Sequence, residues 1–154
     1  MKKAVSYLYA LLLLPFLLAG CKVEPKPIAY GAANCAHCSM TLSDRRYGAE
    51  LVNDKGKPYF FDAAECLAAY ILEQPEQGGK AAYLLVTDYT NPGQLLDARS
   101  AHYLRSPELP SPMGMNLTAL ADAATARKMQ QEHGGQLLTW DQVLLAVQKD
   151  EKLQ

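Results

Sequence analysis

The sequence has no excess of charge and no cluster of basic residues. Its 15 lysines and arginines face 16 aspartates and glutamates across 154 residues, for a formal net charge of −1. Such a balance offers no field to hold nucleic acid, and it leads us to expect membrane attachment through a lipid in place of a run of basic residues. There is no glycine-rich phosphate cradle, no serine, histidine and aspartate set out as a hydrolytic triad, and no carboxylate pair that the linear order exposes. After residue 20 no apolar run is long enough to cross a bilayer. Tryptophan occurs once and cysteine only four times. The chemistry of this chain therefore rests on very few residues.

The first twenty residues, MKKAVSYLYALLLLPFLLAG, are different in kind. Lys2 and Lys3 precede an apolar stretch that Pro15 interrupts, the layout of a secretory signal and too short for a good transmembrane helix. Leu18, Ala19 and Gly20 run directly into Cys21, which resembles the bacterial lipobox. Cys21 is thus the expected lipidation site and mature N-terminus, on the periplasmic side of a bacterial membrane. Lys22 follows in place of aspartate, a pattern that in Gram-negative lipoproteins permits sorting to the outer membrane. Removing residues 1–20 takes two lysines and no acid, leaving 134 residues with 13 basic and 16 acidic side chains. That length suits one ordinary domain or two very small ones. Residues 21–33, with two prolines and little periodicity, read as a lipidated tether.

Beyond the tether, residues 47–52 (YGAELV) predict a strand, residues 53–56 (NDKG) a turn, and residues 57–61 (KPYFF) the returning strand, with Pro58 favouring a sheet edge. Asp62 and Glu65 have the spacing of a capping box, ahead of a helix with Ala63, Cys66, Leu67, Tyr70 and Ile71 on one stripe. Gln77, Gly78 and Gly79 end that segment, and residues 82–87 (AYLLVT) predict a buried strand. Weaker signals repeat the order: short strands at 94–98, 102–104 and 113–117, a helix at 121–132 stopped by Gly134, a strand at 135–138, and a closing helix at 139–148 with Thr139 and Gln142 as a second capping box. The expected class is α+β: two small, similar ββαβ halves, 34–90 and 91–154, packed together and ended by a C-terminal helix. Neither half alone would bury much apolar surface.

The stretch CAHCSM, residues 35–40, gathers two thiols, an imidazole and a thioether. With Cys21 assigned to lipid, Cys35, Cys38 and Cys66 remain, an odd number for an oxidising compartment. At least one is unpaired, buried or metal-bound. Soft Cu(I) prefers thiolate and thioether sulfur, whereas zinc prefers thiolate and imidazole. Methionine therefore discriminates between them. Met40 closes the cysteine loop, and Met113 and Met115 flank Gly114 after a loop with three prolines at 106–112. If the fold closes one loop over the other, the site becomes cysteine plus two methionines. Each element also has a plainer reading. Cys35 and Cys38 can form a disulfide, His37 can be solvated, and Met40 and Met113 can fill the core. Cys66, on the inward stripe of its helix, reads as buried and inert. His102 and His133 read as structural or solvated, and Met129 and Trp140 as packing residues.

Taken together, the lipobox, the loop from Cys35 to Met40, FFDAAECLAAY at 60–70, AAYLLVTDY at 81–89, LLDARSAHYL at 95–104, PMG at 112–114 and EHGGQLLTWDQV at 132–143 resemble the NosL family of nitrous-oxide-reductase accessory lipoproteins. The resemblance covers nearly the whole mature chain. It implies a periplasmic Cu(I)-binding metallochaperone that supplies copper for nitrous oxide reductase, with an ABC-type maturation complex as partner. It implies a fold of two ββαβ halves, related to part of organomercurial lyase. By resemblance the ligand cysteine is Cys35 and the ligand methionines are Met40 and Met113. The chain departs from family members with a single cysteine in this loop, which leaves Cys38 as an extra ligand, a disulfide partner or a redox gate. Ser39 also stands where a glycine is common.

Two other classes of function compete with a copper carrier. A thiol-disulfide oxidoreductase would use Cys35 and Cys38, but the loop does not open a helix after a strand, where a depressed thiol pKa is expected. A structural zinc site would need a second close pair of strong ligands, and methionine suits zinc poorly.

Overall fold

The computed structural model describes residues 22–151, so the signal at 1–20 and Cys21 lie outside the described residues. The described chain carries seven strands: β1 (Ala49–Asn53), β2 (Pro58–Phe61), β3 (Ala81–Thr87), β4 (Leu95–Asp97), β5 (His102–Arg105), β6 (Leu117–Leu120) and β7 (Gln136–Leu138). It carries four helices: α1 (Ala64–Glu73), α2 (Pro75–Gly79), α3 (Ala123–His133) and α4 (Trp140–Glu151). None is long and apolar enough to cross a membrane.

The strands form two antiparallel sheets, ordered β2-β1-β3-β4 and β6-β5-β7. In each, the first strand of a hairpin lies in the middle, a helix follows, and the next strand returns to the other side of the first. The ββαβ order is thus repeated in space as well as in sequence, and the class is α+β. β4 joins the first sheet through Leu85↔Asp97, Val86↔Leu96 and Thr87↔Leu95. The second sheet consequently begins at His102, not at the residue 91 boundary expected from the sequence.

The β1–β2 turn follows its sequence closely. Asn53 Oδ1 accepts from the Lys55 and Lys57 amides, and Gly56 takes a left-handed φ of +80° that a side chain would strain. Pro58 sits on the edge strand, where its missing N–H breaks no ladder bond. Ala49 and Leu51 of β1 face the main core with Leu67, Leu84, Val86 and Tyr103. Helix α1 is buried all along residues 64–70, between the first sheet and α4. Full burial of a leucine such as Leu67 contributes roughly 1.5–3 kcal/mol.

Local signals yield to packing in three places. The Asp62/Glu65 capping box does not form: Ala63 holds the N-cap position without a side-chain bond, and the Ser111 hydroxyl donates to Glu65 across 46 positions. The Gly78-Gly79 stop lies inside α2, a single short helix that Pro75 begins, where the missing proline amide costs nothing. The strand expected at 113–117 starts only at Leu117, because Gly114 at φ +82° and Asn116 at φ +60° curl the backbone out of the extended region. At the second capping box, by contrast, the Thr139 amide donates to Gln142 Oε1 and the Gln142 amide to Thr139 Oγ1.

Residues 22–33 do not hang free. The Lys26 amide donates to Oε1 of the fully buried Glu50 at 2.8 Å, Ile28 and Tyr30 pack on the core, and the Gly31 amide donates to the Leu42 carbonyl.

Candidate metal centre

The cysteine loop is built from backbone hydrogen bonds. The Cys35 amide donates to the Met40 carbonyl at 2.8 Å, and the Ser39 amide to the Cys35 carbonyl at 3.0 Å. Ser39 takes φ +64°, the left-handed conformation that glycine reaches without strain. An Asn34↔Thr41 bridge closes the base of the loop, and the Ala36 amide donates to the Phe60 carbonyl of β2. The loop is thus pinned at the end of β2, directly before α1 begins.

That placement brings the first turn of α1 under the loop. The Sγ atoms of Cys35, Cys38 and Cys66 all lie within 4.8 Å of one another, and Cys66 to Cys38 is 3.9 Å. Cys35 and Cys66 are buried, Cys38 is half-buried, and all three are free thiols. Cys66 is buried in the core, as its helical stripe suggested, and its sulfur also meets those of Cys35 and Cys38. The only sequence clue to its role was its place on the inward face of the helix that follows the hairpin.

The three thiols differ in acidity. Cys35 is lowered to about 5, first because the Cys66 thiol donates a hydrogen bond to it, and also because the Cys38, Asp62 and His37 amides point at its sulfur. Cys66 is raised, by donating that bond to Cys35 and by burial. Burial raises Cys38 as well. Of the three thiols, Cys35 is thus the one that ionises most readily. Two buried carboxyls stand close by in sequence, Asp62 and Glu65, both raised chiefly by burial.

Beside the thiols opens a cleft of about 220 Å³ lined by Cys66, His37, Glu65, Met113, Met115 and Asp150 among others. Ser111 fixes the methionine loop above it: its hydroxyl donates to Glu65, accepts from the Asn116 amide at 2.9 Å, and its carbonyl accepts from Gly114 at 3.1 Å. Met113 is 38% exposed and Met40 is 52% exposed, so neither fills the core. The structure brings Cys35, Cys38 and Cys66 together and places Met113 on the same cleft as Cys66. Met40 caps the loop by its backbone, and its side chain lies outside the residues that line the cleft. His37 leans to Glu73, with Nδ1 3.5 Å from the carboxylate. His102 and His133 lie away from the cluster, His133 facing Glu108.

The NosL family profile matches residues 28–147. The chain belongs to the NosL family. It is similar to the copper-binding lipoprotein NosL of Stutzerimonas stutzeri, 29% identical over 146 residues, an alignment covering 85% of this chain and 76% of that protein. Its fold resembles the crystal structure of the copper chaperone NosL from Shewanella denitrificans, with a TM-score of 0.67 over 79% of this chain and 96% of that one, at 18% identity. The mixed helix-and-sheet fold inferred from the sequence is the fold of that relative. Within the family framework, the loop and the helix of this chain assemble a three-thiol cluster.

Proposed function

We propose that this protein is a membrane-anchored Cu(I) carrier without catalytic turnover. Cys35, Cys38 and Cys66 form its inner seat, and Met113 and Met40 are outer thioether donors. The observation that carries the reading is the meeting of three thiol sulfurs within 4.8 Å beside a methionine-lined cleft. A metal–thiolate bond of about 2.3 Å places three sulfurs in a trigonal plane about 4 Å apart, close to the 3.9 Å between Cys38 and Cys66. Three sulfurs with thioethers at the rim suit a soft monovalent ion, and an exposed rim suits release. The names of the similar proteins, a copper-binding lipoprotein and a copper chaperone, support the same cargo.

The lipobox supports attachment through an acylated Cys21, and the secretory signal supports a periplasmic address, with Lys22 favouring the outer membrane. The family resemblance supports delivery toward nitrous oxide reductase, together with its ABC-type maturation complex. A thiol-disulfide oxidoreductase would need its low-pKa cysteine at the surface to attack a substrate. Cys35 is only 3% exposed, which weighs against that use.

The deciding experiment is an anaerobic Cu(I) titration of the reduced, unlipidated protein against a chromogenic chelator, with zinc as control. Competitive binding of one Cu(I) with little retention of zinc is the expected result. Failure to compete for Cu(I) returns the three cysteines to redox chemistry.

A further inference from the structure

Residues 22–33 run as a strap from one end of the first sheet to the other. Val23 and the Lys22 carbonyl lie against Gly56 in the β1–β2 turn, within 3.8 Å of where a Cβ would stand. Lys26 is bonded to Glu50 near the start of β1, and Gly31 and Ala33 pair with Leu42 beside the cysteine loop. Pro25 and Pro27 keep the strap extended. The residue that follows Cys21 is therefore held at the turn, and consecutive Cα atoms are only about 3.8 Å apart. An acyl chain on Cys21 would enter the bilayer beside this turn.

The same end of the sheet is dressed for a headgroup layer. Lys55 lies in the turn, Lys57 follows it, and Lys80 precedes Ala81, whose register partner is Asn53. With Lys22, these four exposed lysines stand among Glu24, Asp54 and Glu76. Tyr83, opposite Val52 and 36% exposed, adds an aromatic ring of the kind that sits at a membrane interface.

We propose that the β1–β2 turn end of the first sheet is the membrane-contact surface, seated on anionic phospholipid headgroups by Lys22, Lys55, Lys57, Lys80 and Tyr83. This rests on the lipidation of Cys21 read above. The cysteine loop is pinned at Phe60 near the other end of β2, four residues past Gly56, so a rise of about 3.3 Å per residue holds the thiols roughly 13 Å above the turn. The strap sets that height, and the carrier does not search space on a loose leash.

The test is photo-crosslinking of the full-length lipoprotein in vesicles of phosphatidylglycerol and phosphatidylethanolamine. A photoreactive residue replaces Lys55, Tyr83 or, at the thiol end, the exposed Thr41. Intact mass establishes acylation first, so a chain that is never acylated fails the anchor reading and is told apart from a failure of the seating. For acylated protein, phospholipid adducts at positions 55 and 83 are expected at several-fold the yield at position 41. Equal yields at all three positions, or adducts at position 41 alone, overturn the proposal.

Discussion

Cys38 and Cys66, 28 positions apart in sequence, place their sulfurs 3.9 Å from each other. One belongs to a loop and the other to the first turn of α1, and Cys35 completes the triangle. The contact turns a two-cysteine motif into a three-thiol cluster.

If Cys66 is a ligand, replacing it with serine removes a soft donor that a hydroxyl cannot replace for Cu(I). Loss of an outer-shell partner alone costs about 10–100-fold in metal affinity, so loss of a ligand should cost at least that. Chelator competition under anaerobic conditions measures it, with circular dichroism as the check on folding. Wild-type affinity in a folded Cys66→Ser protein would remove Cys66 from the site.

Met113→Ile keeps bulk and removes the thioether. Because Met113 is 38% exposed, the fold should tolerate the change within about 0.5 kcal/mol. Faster Cu(I) transfer to a competing chelator is expected, with the melting temperature unchanged. An unaltered transfer rate would make Met113 a bystander.

Loading should release protons in a definite number. At pH 7 Cys35, at about 5, is already a thiolate, whereas Cys38 and Cys66 are raised and still protonated. Binding to all three thiolates then expels two protons, so affinity rises with pH, by about a hundredfold per unit near neutrality. Below pH 5 the Cys35 proton must also leave and the dependence steepens. Proton release measured in weakly buffered solution tests this, and one proton per ion would mean that only one protonated thiol takes part.

The methionine loop is held by Ser111. Ser111→Ala removes the hydroxyl that donates to the buried Glu65 carboxyl, whose Oε2 already lacks a partner. A loss of about 1–3 kcal/mol is expected, read as a fall of several degrees in the midpoint of thermal unfolding. Release of Cu(I) should quicken as well, since the loop carrying Met113 loses its tie to α1.

The legible parts of this protein are those that depend on near neighbours. The Asn53–Gly56 turn, the edge proline, the Thr139/Gln142 box and the paired ββαβ order could all be read from a few residues in a row. Cys35 and Met113 stood out because their residue types are rare here and sit in constrained loops. Cys66 did not, because nothing local reveals that α1 will begin beneath the cysteine loop. The Asp62/Glu65 spacing misled for the same reason: Ser111, far along the chain, competes for Glu65 and wins. The segment at 21–33 reads as a tether, and the contacts that pin residues 22–33 are invisible there because their partners, Glu50, Leu42 and Gly56, all come later in the sequence.

The cleft is assembled from both ββαβ units: His37, Glu65 and Cys66 come from the first, and Met113, Met115 and Asp150 from the second. An ion bound to both the thiols of the first unit and a thioether of the second would span the seam, and it would favour the state in which the two units are docked.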